Sequence, residues 1–489
     1  MRKLLVLVLS CGMIGCVHGR SSGVETVLQK LPGAEMGVVV FTKNTQQVLE
    51  FLASEVTAVE ELVGGKVQAE IEEDLGFNPI TVGGMVTAGL DPTRPLALWI
   101  GGSSPEKALF QGVLPIGERA AFLATLDKIL AKGSLSRGSP IATAKGDWIG
   151  FSRTNGQKKE PAGGLLLQGK YAVFTNGERE QLQVFSTGPS VAQHPHLKTL
   201  QAASQGKGQV GFFASPKWLE KFNAESLSAM PVAAAVYGEV RMTPNKEVFM
   251  ESLSFSLPET LVEARRFSPE PVGRVPGPKG ALIAGTASYD LNALFAWMKR
   301  DEQMAKVLLE QEQRVRLIEP MLAHLGADLT FTIGVDGEPS NPMILLGSLF
   351  ARLDLAGGDP KAALAAGIQA AKGMDLPLDK LKAVDGGYDL FIPPIVLIRF
   401  RTDDNALSIA YGREAVPDPE SRLAKLAKGQ AQAGFFDAAK VGRMMSKMLV
   451  KVPIAAKVGL VLQRYGAWET WSGPPDTITA GYGRLRISP

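Results

Sequence analysis

The feature that most constrains the fold of this chain is a set of short landmarks that occurs twice, in the same order. The pairs are Pro32 and Pro278, Gly89 and Gly334, Gly211 and Gly434, and Tyr237 and Tyr465, and they lie 246, 245, 223 and 228 residues apart. The separation shortens after the second pair, which indicates one deletion in the second half, opposite residues 153–196. The shared order predicts two tandem related repeats.

Hydrophobic patterns within each half predict both helices and short strands. Asn44 begins a helical pattern in the first half, and Asp290 begins one in the second. Leu253 and Phe255 alternate with serines, as is typical of a half-buried strand. The 53 glycines and 31 prolines indicate many turns. The predicted fold class is α+β, with each repeat an antiparallel or mixed sheet of short strands that carries helices on one face.

The N-terminus has the pattern of an export signal. Arg2 and Lys3 precede an apolar run that is too short to span a bilayer and ends in small residues. The segment Met13-Ile14-Gly15-Cys16 then resembles the lipobox of bacterial lipoproteins. The resemblance implies cleavage before Cys16, acylation of Cys16 with palmitate-type chains, and a membrane anchor. The alternative is ordinary secretion, with Val17-His18-Gly19 as the cleavage site.

The position after the lipobox cysteine bears on which membrane is used. Val17 stands there, and in lipoproteins of two-membrane bacteria a residue other than aspartate implies the outer membrane, facing the periplasm. Two further segments, Leu31-Pro32-Gly33-Ala34-Glu35 and Gly89-Leu90-Asp91-Pro92, resemble an uncharacterised family of exported bacterial proteins. That resemblance implies a location in the cell envelope and no known activity.

These patterns divide the chain into five segments. They are a lipoprotein signal peptide at 1–15, a polar tether at 16–30, a first α+β repeat at 31–257, a proline-rich linker at 258–280 and a second α+β repeat at 281–489. Because proline fixes the backbone and removes a donor, we expect the linker to be extended and stiff. The apolar stretch 448–462 is interrupted by Lys451, Pro453 and Lys457, so we expect an amphipathic helix there and not a membrane span.

Cysteine content and charge exclude several classes of function. The only cysteines are Cys11 and Cys16, so the predicted mature body has no disulfide, thiolate metal site or cysteine nucleophile. The net charge is +3, and it falls to +1 once Arg2 and Lys3 leave with the signal peptide. A nearly neutral body without a basic run argues against nucleic acid as a partner.

Motifs that could carry catalysis are incomplete. The segment from Gly164 to Lys170 begins like a phosphate-binding loop, but Tyr171 stands where serine or threonine must hold magnesium, so we expect a hairpin turn. His194 and His196 flank Pro195 without a third ligand nearby, and we expect a surface loop. We predict no cofactor and no metal site. The balance is against an enzyme, although the sequence leaves that question open.

Four aromatic residues form the remaining candidate site. They are Tyr465, Trp468, Trp471 and Tyr482, near the C-terminus. Such side chains anchor interfaces and line ligand sites, and they also fill ordinary cores, so both interpretations stay open.

Three functions therefore remain. The first is a non-catalytic, membrane-anchored lipoprotein that acts as a binding or structural module in the cell envelope, with the membrane and envelope proteins as partners. The second is a periplasmic carrier of a hydrophobic or lipid ligand, which predicts a large apolar cavity. The third is a carboxylate-based hydrolase, which predicts acidic side chains that converge in a cleft.

Overall fold

The chain folds into two compact units, the first ending at Phe255 and the second beginning at Ser256. The structure, a computed structural model, describes residues 22–33, 37–102, 108–155, 158–215, 233–243, 246–268, 270–273, 277–300, 302–337, 339, 341–374, 380–392, 396–413, 418–449 and 452–488. Both units combine helices with antiparallel strands, so the α+β fold class is confirmed.

The first unit alternates helices with strands along the chain. Its helices are α1 (Ser22–Leu28), α2 (Thr45–Val63), α3 (Val67–Leu75), α4 (Val82–Thr87), α5 (Arg119–Lys132) and α6 (Pro195–Ala203). Its strands are β1 (Gly37–Thr42), β2 (Ala97–Gly102), β3 (Ala108–Pro115), β4 (Leu135–Arg137), β5 (Ile141–Thr143), β6 (Gly146–Asn155), β7 (Lys158–Gln168), β8 (Tyr171–Thr175), β9 (Val210–Ala214), β10 (Ala235–Met242) and β11 (Glu247–Phe255).

The strands of the first unit form one antiparallel sheet. The order is β6-β7-β8-β3-β2-β1-β9-β10-β11, with the short β4 and β5 both paired to β6. Apolar side chains of α5, such as Phe122 and Leu126, pack on Ile149, Leu165 and Phe174 from the strands. This packing forms the main core of the unit, and the cavity that it encloses measures only about 40 Å³.

The second unit has the same mixture of elements. Its helices are α7 (Pro258–Phe267), α8 (Leu291–Met298), α9 (Glu302–Glu310), α10 (Glu312–Leu322), α11 (Pro342–Ser348), α12 (Pro360–Lys372), α13 (Arg422–Ala427), α14 (Ala438–Met448) and α15 (Pro453–Arg464). Its strands are β12 (Ala281–Ser288), β13 (Leu325–Val335), β14 (Leu349–Gly358), β15 (Leu381–Val384), β16 (Gly387–Ile392), β17 (Val396–Thr402), β18 (Ala406–Gly412), β19 (Gln432–Asp437), β20 (Tyr465–Ser472) and β21 (Ile478–Ile487).

These strands also form an antiparallel sheet, in the order β15-β16-β17-β18-β14-β13-β12-β19-β20-β21. Ala363 and Leu364 of α12 pack on Leu325, Leu355 and Leu407 to form one core cluster. A second cluster lies where Leu423 of α13 contacts the β12–β19 region.

Side-chain caps fix several of the predicted helix starts. Asn44 accepts a hydrogen bond from the Gln47 N–H at 3.3 Å, and Asp290 accepts one from the Ala293 N–H at 2.8 Å. Each bond satisfies one of the N–H groups that a helix leaves unpaired at its first turn. Helices α2 and α8 therefore begin where the sequence predicts.

The tether prediction over 16–30 is wrong from Ser22 onward, because α1 occupies Ser22–Leu28. Val24, Val27 and Leu28 are buried, and their helical spacing packs α1 onto the first unit. Residues 16–21 of the predicted tether lie outside the described residues, as does the whole signal peptide.

The prediction of an extended linker over 258–280 also fails at its start, where α7 covers Pro258–Phe267. Pro258 occupies the first helical turn, where its missing N–H costs nothing. Glu259 in the first turn and Arg265 and Arg266 in the last turn complement the helix dipole. The high proline content favours a linker over 258–280, although these residues are also typical of helix ends. Within the described part of the chain, no helix has both the length and the apolar character that crossing a bilayer requires.

Candidate functional site

The four aromatic residues predicted as a site do not form one cluster. Trp471 and Tyr482 are cross-strand partners on β20 and β21, and their rings stack with centroids 5.7 Å apart. Trp468 pairs with Leu485, three residues from Trp471, and therefore lies on the opposite face, where it is 51% exposed. Tyr465 begins β20 opposite Ile487. Cys16, the predicted lipidation site, lies outside the described residues.

The ladder between β20 and β21 has one register shift. Gly483 pairs regularly with Thr470, and the register shift lies on β20, between Tyr465 and Trp468. Tyr482 and Leu485, three residues apart on β21, face opposite sides of the sheet.

A buried carboxylate lies beside the stacked pair. Glu469 accepts a hydrogen bond from Arg484 Nε at 2.6 Å, and Arg422 Nε lies 2.8 Å from its other oxygen. The guanidinium groups of Arg422 and Arg484 also lie over the rings of Phe435 and Trp471, at 5.6 and 5.8 Å. Charge pairing and ring contacts thus satisfy this carboxylate within the second unit.

The first unit contains a larger cavity of different character. Its volume is about 410 Å³, within the range of small-molecule sites. Helix α1, helix α6 and strand β10 contribute most of the lining. The floor is buried and includes Tyr237 and Glu239, whereas Glu25 and Lys198 are exposed at the rim. The cavity is therefore open to solvent above a polar floor.

Glu239 is the central group of the floor and is only 3% exposed. The Tyr237 hydroxyl donates to its Oε1 at 2.5 Å, and the Gly208 N–H donates to its Oε2 at 2.6 Å. Lys43 Nζ donates to Oε1 as well and forms an ion pair with it. A carboxylate offers about four lone-pair sites, so these three donors leave acceptor capacity for a ligand.

A second buried carboxylate lies next to Glu239. Glu251 on β11 is its direct cross-strand partner, an arrangement that is unfavourable for like charges. Ser204 Oγ and the Gln205 N–H donate to Glu251 Oε2 at 2.8 and 3.0 Å. Glu251 is thus held outside the cavity lining, while Glu239 faces the cavity.

One short segment binds both carboxylates, and we call residues 204–208 the carboxylate-binding loop. Its first residues bind Glu251 and its last residue, Gly208, binds Glu239. A Cβ atom at position 208 would lie 2.2 Å from the Glu239 Cβ, so only glycine allows this approach. The loop makes the position of both carboxylates depend on a single backbone path.

Tyr237 acts as a fixed hydrogen-bond donor. Burial, followed by the charge of Glu239, raises the pKa of Tyr237 well above its ordinary value of about 10. The Gln201 side chain is also hydrogen-bonded to this hydroxyl. The tyrosine therefore stays protonated at physiological pH and orients Glu239.

The charges of this site favour a particular ligand chemistry. Within the lining, Lys43 balances Glu239 and Lys198 balances Glu25, and Glu251 adds one negative charge behind the lining. A buried negative charge is stabilised by a nearby cation or by added donors. The cavity is therefore suited to a small polar molecule that carries an amine or hydroxyl donors.

The remaining sequence motifs have structural roles. Gly169 and Lys170 connect β7 to β8 with Gly169 at φ +61°, so the hairpin prediction is confirmed. The surface-loop prediction for His194 is wrong, because it caps α6, accepts from the His196 N–H at 3.3 Å and packs edge-on against Phe213. Among the described residues, no group of three histidine, cysteine, aspartate or glutamate side chains is placed to hold a metal ion.

The residues of the cavity floor were not predicted from the sequence, although the sequence contains one signal of them. The alternation that places Leu253 and Phe255 on the inward face of β11 also places Glu251, two residues before Leu253, on that face. A carboxylate in the apolar phase of a strand requires a partner. No family model matches the chain, and no curated protein matches it.

Proposed function

We propose that the chain is a lipid-anchored protein of the cell envelope whose first unit is a non-catalytic module that binds a small polar ligand. The observation that carries the proposal is the cavity of about 410 Å³ floored by Glu239, Lys43 and Tyr237. Burying a charged group costs free energy, and here the buried charged groups lie beside a cavity and not among packed apolar side chains.

The envelope location rests on the signal peptide pattern and the lipobox resemblance at Cys16. Helix α1 begins at Ser22, six residues after Cys16, and its Val24, Glu25 and Leu28 line the cavity. Six residues span at most about 20 Å when fully extended. An acylated Cys16 would therefore hold the wall of the cavity close to the membrane surface, which the lipobox resemblance and Val17 assign to the outer membrane.

We further propose that the two units are tandem repeats. The strand order of the first unit, β6-β7-β8-β3-β2-β1-β9-β10-β11, has the same sequence of connections as β16-β17-β18-β14-β13-β12-β19-β20-β21 in the second. The hydrogen bonds that lead into β9 and β19 give the alignment. Gln209 N–H donates to Val240 and Ala431 N–H donates to Ser472, which makes Gln209 and Ala431 equivalent.

That alignment shifts the resemblance between Gly211-Phe212-Phe213 and Gly434-Phe435-Phe436 by one residue. By the ladder register, Phe213 then corresponds to Phe435. Pairing geometry is the better guide, because a slip by one residue would turn every side chain of the strand to the other face.

The geometry gives less support to the two alternative functions. A carrier of hydrophobic ligand needs a large apolar cavity, and the apolar core of the first unit encloses only about 40 Å³. A carboxylate-based hydrolase needs two acidic groups that converge on the substrate. Among the described residues, Glu239 is the only carboxylate at the floor of the cavity, because Glu251 is held by the carboxylate-binding loop outside the lining and Glu25 lies at the exposed rim.

The proposal is tested by thermal shift of the full chain against a library of small amines, amino acids, polyols and fatty acids. We expect a polar amine or polyol to raise the melting temperature, because a ligand that binds only the folded state stabilises it. The variant Ala202→Trp places a large ring at the exposed rim of the cavity, and Thr199→Trp, which is also exposed on the same helix but lies outside the lining, is its control.

Ala202→Trp should abolish the shift, and Thr199→Trp should keep it. A shift produced by fatty acids alone would favour the carrier. A shift that survives in Ala202→Trp would place the ligand elsewhere and contradict the proposal.

A further inference from the structure

The rim of the cavity in the first unit carries one charge of each sign. Glu25 on α1 and Lys198 on α6 both line the cavity and are exposed. Neither side chain forms a hydrogen bond or an ion pair with another of the described residues. Each charge is therefore available to a ligand, so the rim offers one partner for an ammonium group and one for a carboxylate group.

The floor of the cavity has an excess of negative charge. Lys43 is ion-paired with Glu239, and Glu251, the cross-strand partner of Glu239, adds one negative charge behind the lining. Glu239 also keeps acceptor capacity, since three donors occupy about four lone-pair sites. A ligand cation that donates to Glu239 offsets the excess charge, so the floor favours a positively charged group.

One face of α6 connects the rim to the floor. Lys198 and Gln201 are three residues apart and both line the cavity. Gln201 is hydrogen-bonded to the Tyr237 hydroxyl at the floor, whereas Lys198 is exposed at the rim. A helix rises about 4.5 Å over three residues, which an aliphatic stem of three or four carbons can bridge.

The remaining wall of the cavity is largely apolar. It is formed by buried side chains of α1, of α6 and of the segment before α6, namely Val24, Leu28, Leu197 and Ala192. Methylene groups gain free energy when they leave water for such a wall, and hydroxyl groups without a hydrogen-bond partner lose it. The wall therefore favours an aliphatic stem between the charged ends of the ligand.

We propose that the ligand is a free basic amino acid, of the class that includes lysine, ornithine and arginine. Its α-ammonium group pairs with Glu25 and its α-carboxylate with Lys198, while the side-chain cation donates to Glu239. This arrangement matches both charges of the rim and the excess charge of the floor. The inference rests on the proposed function, because it assigns the ligand of the same cavity.

The test is isothermal titration calorimetry of the full chain with L-lysine and with two molecules that each lack one of its charged groups. L-norleucine lacks the side-chain ammonium group, and we expect it to bind at least about tenfold more weakly, because a hydrogen bond to the buried Glu239 is lost. Cadaverine lacks the carboxylate, and we expect it to bind about two- to fivefold more weakly, as is usual for an exposed ion pair.

Two variants test the rim. Lys198→Met should lower the affinity for lysine about two- to fivefold and should not lower the affinity for cadaverine, which has no carboxylate to pair with it. Glu25→Gln should lower the affinity for lysine and cadaverine alike. The matched controls are Lys128→Met on α5 and Glu61→Gln on α2, which are exposed outside the lining and should change neither affinity.

Equal affinities for lysine, norleucine and cadaverine would overturn the proposal, as would a chain that binds none of the three. A lysine affinity that survives unchanged in both Lys198→Met and Glu25→Gln would also overturn it. If a polyol or another polar compound binds instead and Ala202→Trp abolishes that binding, the proposed function stands and only the assignment of the amino acid fails.

Discussion

Under the proposed tandem repeat, the two units place different chemistry at corresponding positions of their sheets. Under the alignment of Gln209 with Ala431, the cross-strand pair Glu239 and Glu251 corresponds to Trp471 and Tyr482. The first pair consists of two buried carboxylates beside a cavity, and the second is a stacked pair of rings. The comparison indicates that one strand order can hold either two buried carboxylates beside a cavity or a stacked pair of aromatic rings.

The surfaces of the units differ as well. Among the described residues, the large apolar side chains that are exposed in the first unit are few: Leu62, Val67, Val86 and Ile141. The second unit exposes many more, including Phe331, Ile333, Tyr411, Trp468 and Ile454. The second unit thus leaves more large apolar side chains in contact with solvent than the first.

The largest loss of stability should come from replacing Glu239, and the comparison is with Glu469 of the second unit. Glu239→Leu leaves Lys43, the Tyr237 hydroxyl and the Gly208 N–H without their acceptor, so we expect the free energy of unfolding to fall by about 3–5 kcal/mol. Glu469→Leu should cost only about 1–3 kcal/mol, because the side chains of Arg422 and Arg484 are about one third exposed and can be hydrated. Urea denaturation, with hydrogen exchange to assign each unit, measures both. Equal losses would remove the distinction between the two sites.

Gly208→Ala should have the next largest effect. The new Cβ would collide with Glu239, and we expect a loss of about 1–3 kcal/mol together with weaker ligand binding. Gly473→Ala in the second unit is the control, because a Cβ there meets no atom within 4 Å. Thermal unfolding with and without ligand measures both variants. Equal losses of stability and of ligand binding in the two variants would contradict the prediction.

Tyr237→Phe sharpens the comparison through pH. At neutral pH we expect a loss of about 1–2 kcal/mol from the missing donor to Glu239. The pKa of Tyr237 is raised in the folded state, so the unfolded chain loses this proton first and stability falls as pH rises above about 10. In the variant this part of the decline should disappear. Unfolding curves recorded between pH 8 and 11 test this, and identical pH profiles for the two proteins would refute it.

The smallest effect concerns the stacked pair. A double-mutant cycle with Trp471→Leu and Tyr482→Leu should give a coupling energy of about 0.5–1.5 kcal/mol, as aromatic pairs do. A coupling near zero would mean that each ring stabilises the second unit through its own buried apolar area and that stacking adds nothing.

Local signals made much of the fold predictable, and distant contacts made the site unpredictable. Asn44, Asp290 and the Gly169 turn act on neighbouring residues, so their roles follow from the sequence. Lys43 and Glu239 are 196 residues apart, and only the pairing of β1 with β9 and of β9 with β10 brings them together.

The central claim is that the first unit holds a small polar ligand above Glu239. Native mass spectrometry of the full chain, purified from the envelope, tests it most directly. We expect one added mass of a polar compound, which the Thr199→Trp variant retains and the Ala202→Trp variant loses. A bound mass that extracts as lipid, or one that Ala202→Trp leaves in place, would contradict it.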